Sequence, residues 1–167
     1  QTKTTDENGI DHFRNHQAVS VQKADLIMQR LKFSNAEAEE ILLLVKYHDV
    51  PIICDEYHVK RWLNRCGEVF FRNLLEVKKA DISGQNPALL NRIDDLAAYR
   101  RLTDKILAEK QCFTLEDLAI NGGDLLQIGY KPGKKIGDVL EHLLDEVMNG
   151  KVANDKATQL QKAELYK

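Results

Sequence analysis

Cysteine is scarce and unpatterned in this chain. Cys54, Cys66 and Cys112 are odd in number, unevenly spaced and without paired-ligand spacing, which signals neither a disulfide framework nor a zinc finger. Long apolar runs are missing too: the longest, residues 41–45 (ILLLV), is far short of the ~20 residues that cross a bilayer. The opening QTKTTDENG lacks an initiator methionine, an apolar signal region and a small-residue cleavage site. A soluble, cytoplasmic protein with no membrane role is expected, starting inside a longer chain. Nor is there an excess of one charge. With 24 Lys and Arg against 26 Asp and Glu, the formal charge is −2, so any contact with nucleic acid must be local. Strand alternation, internal repeats and low-complexity tracts are also absent, and the expected fold class is all-α: a helical bundle followed by a small helical tail.

What is present is helical periodicity with start and stop signals. A helix over about 17–32 carries Val21, Ala24, Ile27, Met28 and Leu31 at helical spacing. Ser34 with Glu37 has capping-box spacing and Phe33 with Ala38 staple spacing, so the next helix opens at Asn35 and forms a hairpin with the first. Asp55 caps a helix through Trp62 that Gly67 ends, and the following one aligns Phe70, Leu74, Val77 and Asp81 on a single stripe. The stretch SGQNP breaks the pattern, with Asn86 as cap and Pro87 opening a long helix through Ala108. Thr114 and Asp117 begin a short helix that Gly122 and Gly123 stop, and a second short helix follows. From Lys134 the series Ile136, Val139, Leu140, Leu143, Leu144, Val147 forms an amphipathic helix closed by Gly150, and Asn154 caps the last one. Three regions are expected: 1–85, 86–112 as a connecting helix, and 113–167.

Two constellations carry chemistry. His16, His48, Asp49 and Asp81 all lie near helix ends, and imidazole with carboxylate suits a divalent metal that could polarise a phosphate. The structural alternative is that His48 favours the helix dipole and Asp49 caps a turn, whereas Asp81, continuing an apolar stripe, needs a partner if buried. His12 is too near the start to weigh, and His58 and His142 occupy polar helix positions. The second constellation is NGGDLLQIGYKPGKKIGDVL. There Pro132 and Gly133 make a tight turn into a helix whose first amides are free to receive an anion, with Lys131, Lys134 and Lys135 crowding the same end. Cations at a helix amino terminus cost roughly 0.3–1 kcal/mol each unless a bound anion reverses the sign. Gly129, Gly133 and Gly137 leave room for a phosphate backbone, and Tyr130 could stack on a base or sugar. The competing reading gives these glycines to two helix ends and one close helix crossing.

Three stretches, HFRNHQAVSVQKADLIMQRLKFSN, LLLVKYHD and LAINGGDLLQIGYKPGKKIGDVLEHLLDEV, together resemble the carboxy-terminal half of bacterial CCA-adding tRNA nucleotidyltransferases of the poly(A) polymerase-like class. The resemblance implies that residues 1–85 are an amino-terminally truncated HD-like region. It also implies that 113–167 is a helical body and tail gripping the acceptor and TΨC arms of tRNA. In such a family the whole enzyme adds CCA to tRNA 3′ ends from CTP and ATP, using Mg2+ in a polymerase head that has no counterpart here. This stretch by itself is therefore expected to hold no catalytic residue and to transfer no nucleotide. By the same resemblance His16, His48 and Asp81 match HD-region positions, a remnant for a divalent transition metal. The HD dyad proper would lie upstream of Gln1, since Asp49 is followed by Val50 and Pro51. The alternatives are an HD-type metal-dependent phosphohydrolase and a purely structural or dimerising module.

Overall fold

The computed structural model describes residues 3–7, 11–13, 16–84 and 92–167. These include seven α-helices: α1 (His16–Leu31), α2 (Asn35–Tyr47), α3 (Glu56–Ser83), α4 (Arg92–Ala108), α5 (Gly122–Gln127), α6 (Lys134–Met148) and α7 (Lys156–Glu164). A short antiparallel hairpin precedes them, β1 (Lys3–Thr5) with β2 (Asp11–Phe13), in the register Lys3 to Phe13. Its strands are too short for alternation to announce them. The all-α expectation otherwise holds, and no helix among the described residues is long and apolar enough to cross a membrane. The expected cap Asn86 and Pro87 lie outside the described residues.

The chain forms two compact units, residues 1–51 with 68–96, and residues 52–67 with 97–167, so that the division runs through α3 and α4. Gly67, at φ 76 and ψ 165, interrupts α3 as expected of a helix-ending glycine.

In the first unit α1 packs on α2 as an antiparallel pair. Ser34 caps α2 with both halves of the capping box made: Glu37 N donates to Ser34 Oγ at 3.3 Å and Ser34 N to Glu37 Oε2 at 3.1 Å. The register of the second half of α3 differs from expectation. Phe71, Leu74, Leu75, Lys78 and Ile82 are buried, whereas Phe70, Val77 and Asp81 are only half-buried. Both stripes satisfy helical spacing, and burial goes to the one with more apolar volume.

The second unit ends its helices with one repeated device. In α4, α5 and α6 the second residue past the end is left-handed, namely Lys110 (φ 48), Gly129 (φ 96) and Gly150 (φ 70), and the next amide reaches back five residues. These are Gln111 to Ile106, Tyr130 to Leu125 and Lys151 to Glu146, the six-to-one bond of the Schellman motif. Thr114 and Asp117 do open a short helix, a single 3-10 turn over Leu115–Asp117. Gly122 and Gly123, however, do not stop it; they begin α5. Asn121 caps α5, its Oδ1 accepting from Gly123 N at 2.8 Å and Asp124 N at 3.3 Å, while Asp124 Oδ2 accepts from Asn121 N at 2.9 Å. The Lys156 ammonium beside Asp124, with the Asn121 amide, holds that carboxyl below the usual range. Removing the cap with Asn121→Ala is expected to cost about 1 kcal/mol in urea denaturation, because two helix-opening amides lose their acceptor. An unchanged midpoint would show the cap to be idle.

Asp155, and not Asn154, caps α7, accepting from Thr158 N at 2.9 Å. The Asn154 amide instead ties two loops together, donating to Asp117 O at 2.8 Å and accepting from Ala119 N at 3.0 Å.

Candidate nucleic-acid interface

The basic turn is built from beneath. α6 buries Val139, Leu143, Leu144, Val147 and Met148, and through Val139 and Leu143 it shares a core with Ile120, Leu125, Tyr130 and Ala163. Tyr130 is 7% exposed and its hydroxyl donates to Ala163 O at 2.6 Å, so the ring sits inside this core and pins the loop that follows it. Burial pushes its phenol above the ordinary tyrosine range. That placement leaves little ring for a base to stack on. Of the glycines, the close helix approach falls on Gly122, where an added Cβ would meet Ile136 Cγ2 at 3.3 Å. Gly137 is exposed with nothing within 4 Å.

Above this base the turn is open. Residues 131–135 are all exposed, and α6 begins at Lys134 with no acidic residue in its first turn. Gly133 is the cap residue, at φ 151 and ψ −175, and supplies no side-chain acceptor to the first amides. Among the described residues, Lys131 and Lys134 have no carboxylate partner. Lys135 donates to a main-chain oxygen of Lys167, the last residue of the sequence, and lies 5.8 Å from the centre of the Tyr130 ring. Lys131 and Lys134 thus stand at the positive end of a helix dipole without a carboxylate partner among the described residues, an arrangement that an oxyanion would stabilise. The structure brings together Lys131, Gly133, Lys134 and Lys135 as the sequence suggested.

The histidine and aspartate constellation is assembled only in part. His16 Nε2 and His48 Nε2 lie 3.2 Å apart, and His48 Nδ1 is 2.6 Å from Val45 O, so each ring spends a nitrogen on the other. Asp49 Oδ2 accepts from Gln17 Nε2 at 3.0 Å. No group of three or more His, Cys, Asp or Glu able to hold a metal occurs among the described residues. Of the four sequence-level candidates, the structure thus brings His16 and His48 into direct contact and sets Asp49 against Gln17.

A residue missed at the sequence level occupies the same region. Lys78 is buried and its ammonium donates to His48 O and Val50 O, both at 2.7 Å, binding the end of α2 to α3. Burial drives its pKa down to about 8, Arg92 adding to the shift and Asp49 and Asp81 opposing it. The signal was a lysine four residues from Leu74 and four from Ile82 on a buried stripe.

Residues 4–163 match the family described as tRNA nucleotidyltransferase domain 2, putative. The CCA-adding enzyme of Limosilactobacillus fermentum (strain NBRC 3956 / LMG 18251) is 48% identical over 72 residues, 42% of this chain and 16% of that protein. The CCA-adding enzyme of Streptococcus thermophilus (strain CNRZ 1066) is 27% identical over 140 residues, 74% of this chain and 34% of that protein. The chain thus matches at most 34% of the length of either relative. No solved structure gives a significant match. With the family match spanning nearly all of its residues, the chain belongs to the tRNA nucleotidyltransferase domain 2 family.

Proposed function

We infer that this chain is the RNA-gripping part of a CCA-adding tRNA nucleotidyltransferase, with the turn at 129–137 holding phosphates of tRNA. The observation that carries the reading is the exposed start of α6, without a side-chain cap, with Lys131 and Lys134 unpaired to any carboxylate among the described residues and Lys135 beside them. Backbone amides and ammonium groups of this kind recognise phosphate oxygens and not base edges, so they fix the position of an RNA without reading its sequence. The acceptor and TΨC arms, which are duplex near the 3′ end, suit such a contact because A-form RNA offers mainly shape and phosphate. CTP and ATP would be used by a nucleotidyltransferase head, with Mg2+ bound there and not among these residues. The setting would be cytoplasmic.

Lys134→Ala combined with Lys135→Ala is expected to weaken binding to tRNA lacking its CCA end about tenfold, or about 1.4 kcal/mol. The logarithmic salt slope should fall by about 1 per lysine removed, equally for tRNAs of different sequence. Fluorescence anisotropy across a salt series measures both. Unaltered affinity and slope would remove the turn from the RNA interface.

A further inference from the structure

We propose that the cleft between the first half of α3 and the second half of α6 binds one nucleotide of an RNA strand, with its base against Trp62 and its phosphate at Arg61 and Arg65. The inference rests on the RNA-binding reading of the basic turn and extends it to a second place in the same unit. The cleft measures about 730 Å3, a volume in the range of small-ligand sites. One wall is a single helical stripe, His58, Arg61, Trp62 and Arg65, spaced three or four apart so that all four share a face. The opposite face of the same turns is packed through Val59 and Leu63, with 0% and 1% exposure, so the stripe is presented on a rigid support.

The chemistry of the two walls differs. Arginine stands on the α3 side and carboxylate on the α6 side, at Glu141 and Asp145, with Leu144 and Met148 between them and Leu115, 43% exposed, beside them. A nucleotide has the same division: an anionic phosphate, a flat apolar ring, and hydroxyl or amine donors. Arg61 is held in place, its Nη1 donating to Tyr57 Oη at 3.3 Å while Tyr57 donates to Asp145 Oδ1 at 2.8 Å. Glu141 makes no ion pair among the described residues, which leaves its oxygens as acceptors for a ribose hydroxyl or an exocyclic amine. The guanidinium fork suits phosphate, and the indole face accepts any base by stacking. Glu141 follows Lys134 by seven positions, nearly two full turns, so cleft and basic turn share a side of α6 about 10 Å apart along its axis.

Trp62 is the chain's single tryptophan, so its fluorescence reports on the cleft alone. The probes are an RNA hairpin with a single-stranded loop, tRNA, AMP, CMP and inorganic phosphate. Loop RNA and tRNA are expected to quench the emission saturably, whereas inorganic phosphate does not. Arg61→Ala with Arg65→Ala, both at exposed positions, should weaken loop-RNA binding about tenfold with unchanged circular dichroism. Lys134→Ala with Lys135→Ala should move the midpoint but preserve the amplitude of quenching. RNA binding by anisotropy with flat fluorescence and no effect of the arginine pair would refute the cleft and leave the turn standing. Absence of RNA binding by every measure would refute both. Quenching by AMP or CMP at lower concentration than by RNA would make this a free-nucleotide site and overturn the assignment to a strand.

Discussion

Gly133→Ala is expected to destabilise the protein by about 1–3 kcal/mol and to weaken tRNA binding, whereas Gly137→Ala should stabilise it and still weaken binding. The two glycines stand four residues apart in the basic turn and the first turn of α6, yet the physics separates them. Gly133 has φ 151 and ψ −175, a region that only glycine occupies at low cost, and no atom lies within 4 Å of where its Cβ would be. Its penalty is therefore one of backbone conformation, and relief of that strain would swing the amides of Lys134 and Lys135 away from a common target. Gly137 lies inside a helix, exposed, also with nothing within 4 Å. Alanine there gains about 0.5–1 kcal/mol of helix stability by restricting the unfolded chain. A position where the folded state would profit from alanine but carries glycine invites an explanation outside the fold. Close approach of a phosphate backbone is such an explanation, since one methyl group would hold the strand off. Urea denaturation and tRNA titration of both variants give four numbers. If Gly137→Ala gains stability and loses no affinity, the RNA does not approach that face, and the glycine has no account in the binding reading.

How much of this was legible beforehand depended on whether the deciding partner was local. The start of α2 was readable because Ser34 and Glu37 complete their hydrogen bonds within four residues, and the ends at Gly67 and Gly150 because a left-handed backbone leaves a residue-type signature. The pair Gly122 and Gly123 was misread because glycines follow a cap as readily as they end a helix; Asn121, whose side chain accepts from Gly123 and Asp124, decided the direction. The role of Tyr130 was set by Ala163, thirty-three residues away, and could not be seen locally. In α3 two stripes offset by one residue had equal periodicity, and only the packed unit distinguished Phe71 and Lys78 from Phe70 and Asp81. The lysines of the turn were legible because exposed residues answer to their neighbours in sequence. The contact of His16 with His48 joins two helices, and it was legible only through grouping histidines and carboxylates that lie near helix ends.

Lys78→Met is expected to lower the stability of the protein by about 2 kcal/mol at pH 7, and by more at pH 9.5. Methionine fills a similar volume but takes from His48 O and Val50 O, both on half-buried residues, the donor they now share at 2.7 Å, and a hydrogen bond to a charged group contributes roughly 1.5–3 kcal/mol. Against that loss stands a gain, because the native state no longer buries a charge. The pH dependence measures that gain. In the folded protein the ammonium titrates at about 8, against 10.5 for an ordinary lysine. Between those values the unfolded chain binds more protons than the folded one, so the unfolding free energy of the native protein rises with pH across that window. The variant lacks this rise, and the gap between the two proteins should widen by up to about 2 kcal/mol from pH 8 to 9.5, at 1.36 kcal/mol per unit. Other lysines and tyrosines titrate in both proteins and cancel in the difference. Urea denaturation followed by circular dichroism at pH 7, 8 and 9.5 gives the comparison. Parallel curves would mean that Lys78 keeps an ordinary affinity for its proton, and that the end of α2, with the paired His16 and His48 beside it, is held by packing instead of by a buried cation.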